Sequence, residues 1–116
     1  MITVLEVEID GQKYPVRYDA LHFEEVESLV GKSYFDAIQE PSVKLYNALA
    51  FTGLKCGHKF RNGKDSKFPK TYQEVAEWIP MPVLKQFFSM ALKFTVSEDS
   101  LKKEPEEKKQ EDKPGE

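Results

Sequence analysis

The chain has 116 residues, a formal net charge of -3 and 40% hydrophobic residues, which suits one domain with a single core. No apolar stretch is long enough to cross a membrane, and the first residues lack the regions of a signal peptide, so we expect a cytoplasmic protein. The single cysteine, Cys56, excludes an internal disulfide and agrees with a reducing compartment. We expect the compact domain to span residues 1–96.

An antiparallel hairpin is predicted at the N-terminus. Apolar and polar residues broadly alternate over residues 2–9, as is typical of a half-buried strand. Asp10 and Gly11 supply the positive φ angles of a tight turn, and a second strand follows over residues 14–18. Because Pro15 lacks an N–H, this strand is expected to be short or to have a free edge. Helices must cover one face of the hairpin, since two strands alone are marginally stable.

About five short helices are predicted after the hairpin, giving a fold of the α+β class that is mainly helical. Asp19 is the predicted N-cap of the first helix, whose apolar positions begin at Leu21 and which ends before Gly31. A second helix spans residues 34–39. Ser42 caps a third helix, whose broad apolar face is consistent with the centre of the core.

The third predicted helix is followed by a long basic loop over residues 58–70. Asn62 and Gly63 indicate a turn within this loop. All the glycines from Gly31 onward in the predicted domain are assigned to helix ends or turns, and they are Gly31, Gly53, Gly57 and Gly63.

Two further helices complete the predicted domain. Thr71 and Glu74 match a capping box, in which each side chain binds the backbone N–H of the other residue. This helix runs through Trp78 and Ile79. A final, largely apolar helix has Pro82 in its first turn, where proline is well tolerated.

The net negative charge of the chain arises from its C-terminal residues. Residues 97–116 contain eight acidic residues and five lysines, so this segment accounts for the net charge of the whole chain. Apart from Leu101 it offers no sizeable apolar side chain, and ordering it would cost about 1–2 kcal/mol per residue. We therefore expect a disordered charged tail. The nearly neutral domain argues against a dedicated nucleic-acid binder, which usually has a strongly basic face.

Candidate catalytic and metal-binding residues are few. Cys56 and His58 are two residues apart, but a structural zinc site needs four ligands and the other histidine, His22, is distant in sequence. The same spacing disfavours a Cys-His nucleophilic pair, and a small apolar filler is the usual role of a free cysteine. No phosphate-binding glycine pattern is present. We expect a protein that is not an enzyme and that has no metal or cofactor.

Two sets of residues are candidates for binding a partner. The first is a set of aromatic and flexible side chains in the last two helices, for which core packing is the competing interpretation: Trp78, Phe87, Phe88 and Met90. The second set lies in the basic loop, where phenylalanines are interleaved with cations as in binders of single-stranded nucleic acid. Its cations are Lys59, Arg61, Lys64, Lys67 and Lys70. Asp65 interrupts this set, and a solvated or partner-facing loop is the competing interpretation.

Four segments of the chain, taken in their order and spacing, resemble a pattern found in known proteins. Residues 9–19 contain a hairpin similar to "DGKEY", and residues 24–33 contain a helix with an end similar to "LxGKS". They are followed by LYNALAFTGLK at residues 45–55 and TYQEVAEWI at residues 71–79. In this order and spacing, residues 2–94 resemble tail assembly chaperones of long-tailed, siphovirus-like bacteriophages and prophages.

The resemblance implies a noncatalytic protein that binds the tape measure protein, keeps it soluble and helps to recruit the tail tube protein. Such a chaperone acts in the cytoplasm of the bacterial host and is not expected in the mature virion. Members of the family are often made in two lengths by programmed frameshifting.

Residues 58–70 are the departure from this pattern, and the resemblance gives them no role. The interleaved cations and phenylalanines of this loop give the alternative function, a small nucleic-acid-binding accessory protein that acts through the basic loop. The exposed edge of the first strand also favours self-association.

Overall fold

A computed structural model of the protein describes residues 4–95, and it confirms the predicted α+β class with an N-terminal hairpin followed by helices. The strands are β1 (Leu5–Ile9) and β2 (Gln12–Val16). The helices are α1 (Ala20–Val30), α2 (Tyr34–Gln39), α3 (Val43–Asn62), α4 (Tyr72–Trp78), α5 (Met81–Leu84) and α6 (Gln86–Thr95). The tail expected over residues 97–116 and residues 2 and 3 of the predicted first strand lie outside the described residues.

The hairpin has the predicted turn. Asp10 and Gly11 have φ angles of 55° and 79°, as a two-residue turn with positive φ at both positions requires. β1 and β2 are antiparallel, with Ile9 opposite Gln12 next to the turn. Alternation along β1 buries Val7 and Ile9, so one face of the hairpin joins the core.

Helix α3 is the centre of the domain. It contacts α1, β2, α4, α5 and α6. The Ser42 hydroxyl accepts a hydrogen bond of 3.1 Å from the N–H of Leu45 and caps the helix as predicted. Leu45, Leu49 and Leu54 are buried among the surrounding elements. The core of the described residues is therefore organised around one helix.

The position of the end of α3 corrects the predicted loop. The helix continues through Asn62, so residues 58–62 are helical and the loop begins at Gly63. Gly53 and Gly57 lie inside the helix and not at its end, whereas Gly31 and Gly63 follow helices as predicted.

The two internal glycines of α3 allow the end of β2 and the residues that follow it to lie directly on the helix. A Cβ atom at Gly57 would lie 2.8 Å from the nitrogen of Val16 and would overlap the Pro15 carbonyl group. A Cβ at Gly53 would overlap the ring of Tyr18. Close approach of the backbone therefore explains why glycine occupies positions where it lowers helix propensity.

Hydrogen bonds fix this close approach. The hydroxyl of Tyr18 donates to the Leu49 carbonyl oxygen at 2.5 Å, and the N–H of Arg17 donates to the Gly53 carbonyl oxygen at 3.1 Å. Both groups are thereby satisfied away from water, where an unpaired polar group would be costly.

Side-chain N-caps mark the first residues of α1, α2 and α4. Asp19 and Ser33 accept from backbone N–H groups of α1 and α2, and Thr71 and Glu74 form the predicted capping box of α4. The final predicted helix is divided at Lys85 into α5 and α6. Within residues 4–95, none of the helices combines the length and the apolar character needed to cross a membrane.

The first prediction concerns Gly57. Replacing an ordinary helical glycine with alanine stabilises a protein by about 1 kcal/mol. At Gly57 the added methyl group meets the backbone of β2, so Gly57→Ala should lower the free energy of unfolding by about 2 kcal/mol. Urea denaturation measures the difference. A variant as stable as the wild type, or more stable, would contradict the close packing of β2 on α3.

Candidate functional site

A groove of about 790 Å³ lies between α1, the C-terminal half of α3 and the loop that follows it. We call it the α1–α3 groove. Charged side chains of both signs line it: Glu24, Glu25, Lys55, Lys59, Lys64, Asp65 and Lys67. Apolar side chains are contributed by Leu21 from α1 and by Phe68 from the loop. The groove therefore combines an apolar strip with a rim that contains both acids and bases.

One ion pair joins the two helices within the groove. Lys55 on α3 lies 2.5 Å from the Glu25 carboxylate on α1, and the two side chains are 29% and 30% exposed. The Lys55 ammonium also lies 4.7 Å from the centroid of the Phe51 ring. Partial burial reduces solvent screening, so this pair contributes to the position of α1 on α3.

The loop wall of the groove is positioned by local contacts. Ser66 bends the chain back, since its N–H and its hydroxyl donate to the Gly63 carbonyl oxygen at 3.0 and 2.7 Å. The Phe68 ring then packs edge-on against Phe51 and His58 of α3, with centroid separations of 6.4 and 5.8 Å. The loop is therefore anchored to the helix by one aromatic side chain.

The apolar strip includes a residue that the sequence placed in the core. Leu21 was expected among the apolar positions of α1, but it is 67% exposed. The buried residues of α1 are His22 and Val26, which are one helical turn apart, and Leu21 lies off that line. Leu21 and Val26 are five positions apart, a separation that places them on different faces of a helix, so the roughly helical spacing of the apolar residues does not put Leu21 on the buried face.

The structure separates the cations of the predicted basic site. Lys59, Lys64 and Lys67 line the groove together, and Lys55, which was not predicted, joins them. Arg61 instead lies 3.3 Å from Glu6 of β1. The reason is that residues 58–62 are helical, so side chains two positions apart point in different directions.

The last predicted cation, Lys70, lies elsewhere as well. Its ammonium group is 4.5 Å from the centroid of the Trp78 ring on α4. The five predicted cations therefore do not form one patch, which corrects the expected single basic site.

The predicted aromatic surface is also corrected. Phe87 is fully buried and Met90 is 8% exposed, because these residues and Ala91 form the inward face of α6. Phe88 is half-buried and packs edge-on against Tyr46 at 6.1 Å. Core packing, the competing interpretation, is what the structure shows for Phe87 and Met90.

Trp78 joins α4 to the hairpin. Its indole N–H donates to the Asp10 carboxylate in the β1–β2 turn at 3.0 Å. Its ring meets Tyr14 of β2 edge-on, with the centroids 5.2 Å apart. Trp78 and Phe88 are thus half-buried contacts between elements, and the four predicted residues do not share one exposed surface.

A cluster of titratable side chains lies next to the groove, where the start of α1 meets α3. The Asp19 carboxylate accepts a hydrogen bond of 2.9 Å from the N–H of His22, and its Oδ1 lies 2.6 Å from His22 Nδ1. The thiol of Cys56 faces Asp19 Oδ2 at 3.7 Å. His22 and Cys56 are both buried. The structure therefore brings His22 to Cys56, although the two are far apart in sequence.

The environment of this cluster sets its protonation. Burial raises the pKa of the Cys56 thiol to about 11, and the neighbouring Asp19 acts in the same direction. Burial also tends to raise the pKa of Asp19, but hydrogen bonds from His22 outweigh burial and the net effect is a lowered pKa. Cys56 is thus a neutral thiol near pH 7, which is unsuited to nucleophilic attack.

In comparisons with known proteins, no family model, no curated protein and no solved structure matches this chain.

The second prediction concerns the reactivity of Cys56. With a pKa of about 11 in the folded protein and an ordinary value of 9.0 when unfolded, alkylation at pH 8 should be about 100-fold slower in the native protein. The fold favours the neutral thiol, so this contribution to stability is complete below pH 9 and is lost as the pH rises through about 11. Iodoacetamide labelling followed by mass spectrometry, with a chelator present, gives the rates. Equal rates in buffer and in denaturant would contradict the buried, neutral thiol.

Proposed function

We propose that this protein is a noncatalytic tail assembly chaperone of a long-tailed phage or prophage. In this proposal it binds the tape measure protein in the cytoplasm of the bacterial host, keeps that protein soluble, helps to recruit the tail tube protein and is absent from the mature virion. The ordered sequence segments that resemble this family support the proposal, as does a fold whose hairpin and helices carry those segments.

The observation that carries the proposal is the α1–α3 groove. An amphipathic helix places apolar residues on one face and charges along the borders of that face. The groove offers the complementary arrangement, with Leu21 and Phe68 on its apolar strip and both signs of charge on its rim. A long helical partner that alternates acids and bases beside an apolar stripe fits this chemistry.

The same groove suits reversible binding. Its rim charges are mostly exposed, and exposed ion pairs contribute only about 0–1 kcal/mol each. The apolar strip is short, so one site binds weakly and several copies along a long partner supply the total affinity. A chaperone with these properties covers the partner during assembly and is displaced one copy at a time by tail tube subunits.

Self-association through the outer edge of β1 is a further part of the proposal, since neighbouring copies on one partner would lie close together. β1 pairs with β2 alone within residues 4–95. An unpaired strand edge is a ready site for pairing with another chain.

The third prediction tests the groove by co-expression with the tape measure protein from the same locus. The wild-type chain should keep the tape measure protein in the soluble fraction and co-purify with it. Leu21→Asp and the double variant Lys59→Glu/Lys67→Glu should each weaken capture by about tenfold or more, since about 1.4 kcal/mol of binding energy corresponds to a factor of ten. Quantitative pull-down gives the captured fraction.

Matched controls lie outside the groove. Val43 is 52% exposed at the start of α3, and Arg61 faces β1, so Val43→Asp places an acid on an exposed apolar position and Arg61→Glu reverses one positive charge outside the groove. Both control variants should capture the partner as the wild type does. A tape measure protein that is soluble alone and does not co-purify would overturn the proposed function, whereas equal capture by all variants would move the site away from the groove.

A nucleic-acid accessory role is the second candidate, and the grouping of Lys55, Lys59, Lys64 and Lys67 in one groove is the observation that favours it. The acids on the same rim act against phosphate binding. If this role holds, a labelled single-stranded oligonucleotide should bind with an affinity that falls steeply with added salt, through counterion release. Fluorescence anisotropy at two salt concentrations distinguishes it from the chaperone role.

A further inference from the structure

Asp19, His22 and Cys56 bring three different donor atoms together. A carboxylate oxygen, an imidazole nitrogen and a sulfur atom all lie within 4.8 Å of one another. The set was not apparent in the sequence, because Cys56 is 34 positions after His22. It is assembled by the packing of the first turn of α1 against α3.

The types of donor select a class of ion. Imidazole and thiolate favour borderline cations such as Zn²⁺ and Co²⁺ over Mg²⁺ and Ca²⁺, which prefer oxygen ligands. A carboxylate oxygen is a common third ligand for zinc, and three protein ligands leave a fourth position for water or another group.

The distances are close to those that such an ion requires. In a tetrahedral zinc site with bonds of about 2.0–2.3 Å, neighbouring ligand atoms are roughly 3.3–3.7 Å apart. Cys56 Sγ and Asp19 Oδ2 are already 3.7 Å apart. Asp19 Oδ1 and His22 Nδ1 are 2.6 Å apart in a hydrogen bond, which the ion would replace when it binds Nδ1, and the three donor atoms lie within 4.8 Å of one another.

The surroundings permit access to the cluster. The Asp19 side chain is 42% exposed, whereas that of His22 is 8% exposed and also lines the α1–α3 groove. An ion can therefore enter beside Asp19 and meet the two buried donors beneath it. Asp19 would bind the ion through Oδ2, the oxygen that faces Cys56, and Oδ1 would remain the N-cap of α1 through the N–H of His22.

One neighbour opposes a cation. The Arg17 guanidinium interacts electrostatically with both Asp19 and Cys56, and it lies 4.6 Å from the centroid of the Phe60 ring. Its positive charge lowers the affinity of the cluster for metal. We therefore expect weaker binding than in a four-ligand structural zinc site.

From the donor set, its spacing and its access to solvent, we propose that Asp19, His22 and Cys56 form a site for one Zn²⁺-class divalent cation. Binding forms a metal–sulfur bond and releases the thiol proton of Cys56 to solvent, with no change of oxidation state. The ion would join α1 to α3 next to the groove. The proposal stands on a different observation from the chaperone function and does not depend on it.

Titration of the full chain with Co²⁺ under reducing conditions tests the site. A bound thiolate gives a sulfur-to-cobalt charge-transfer band, and tetrahedral cobalt gives strong visible bands. One equivalent should bind, and Zn²⁺ should displace it with loss of colour. Since the ion stabilises only the folded state, Zn²⁺ at about 100 times its Kd should raise Tm by about 10 °C.

Variants identify the ligands. Cys56→Ser should abolish the charge-transfer band, and His22→Asn and Asp19→Asn should weaken binding by more than the roughly 10- to 100-fold typical of outer partners of a ligand. His58→Asn is the matched control, because His58 is a histidine outside the cluster whose Nδ1 faces Asn62. This variant should bind Co²⁺ as the wild type does. Circular dichroism verifies that each variant is folded.

Two results would overturn the proposal. The first is a wild-type chain that gives no charge-transfer band with millimolar Co²⁺, which would leave the cluster a hydrogen-bonded network only. The second is a band or a Tm shift that persists in folded Cys56→Ser, which would place the ion elsewhere. Both readouts are independent of whether the protein captures a tape measure protein.

Discussion

The close contact between residues 15–18, which include the end of β2, and the glycine face of α3 is the constraint on which the rest of the fold depends. Gly53 and Gly57 are one helical turn apart, so they open a flat strip along one side of α3. The backbone of residues 15–18 lies in that strip and is held there through Tyr18. Because α1 begins directly afterwards, the position of this segment determines where α1 packs. The groove and the Asp19 cluster both follow from that placement.

Local chemistry was predictable from the sequence, and packing between distant segments was not. The hairpin turn and the caps at Asp19, Ser42 and Thr71 depend on residues within a few positions of one another, and each is present. A glycine in a helical pattern has two meanings, the end of a helix or a close contact. Only the partner segment decides between them, which is why the end of α3 was misplaced.

The candidate site was less predictable for the same reason. The basic loop was identified as a charged segment, but the helical direction of Lys59 and Arg61 depends on where α3 ends. Phe87 and Met90 are candidates for a partner-binding surface in the sequence, with core packing as the competing interpretation, and their spacing places both on the inward face of α6. Leu21 is exposed because the spacing of the apolar residues of α1 is only roughly helical, which does not fix the face on which each of them lies. The composition of the sequence identifies the segments that carry candidate binding residues. The geometry of the helices determines which of those side chains lie together and which are buried.

The contact of Trp78 with the hairpin turn has a practical consequence. Trp78 is the one tryptophan of the chain. It joins α4 to Asp10 and Tyr14 across the greater part of the sequence, so its indole ring changes environment when the hairpin leaves the helices. The molecule thus carries an intrinsic fluorophore at the joint between its β and α parts. Emission from that ring reports the integrity of the joint, and it does so from outside the α1–α3 groove.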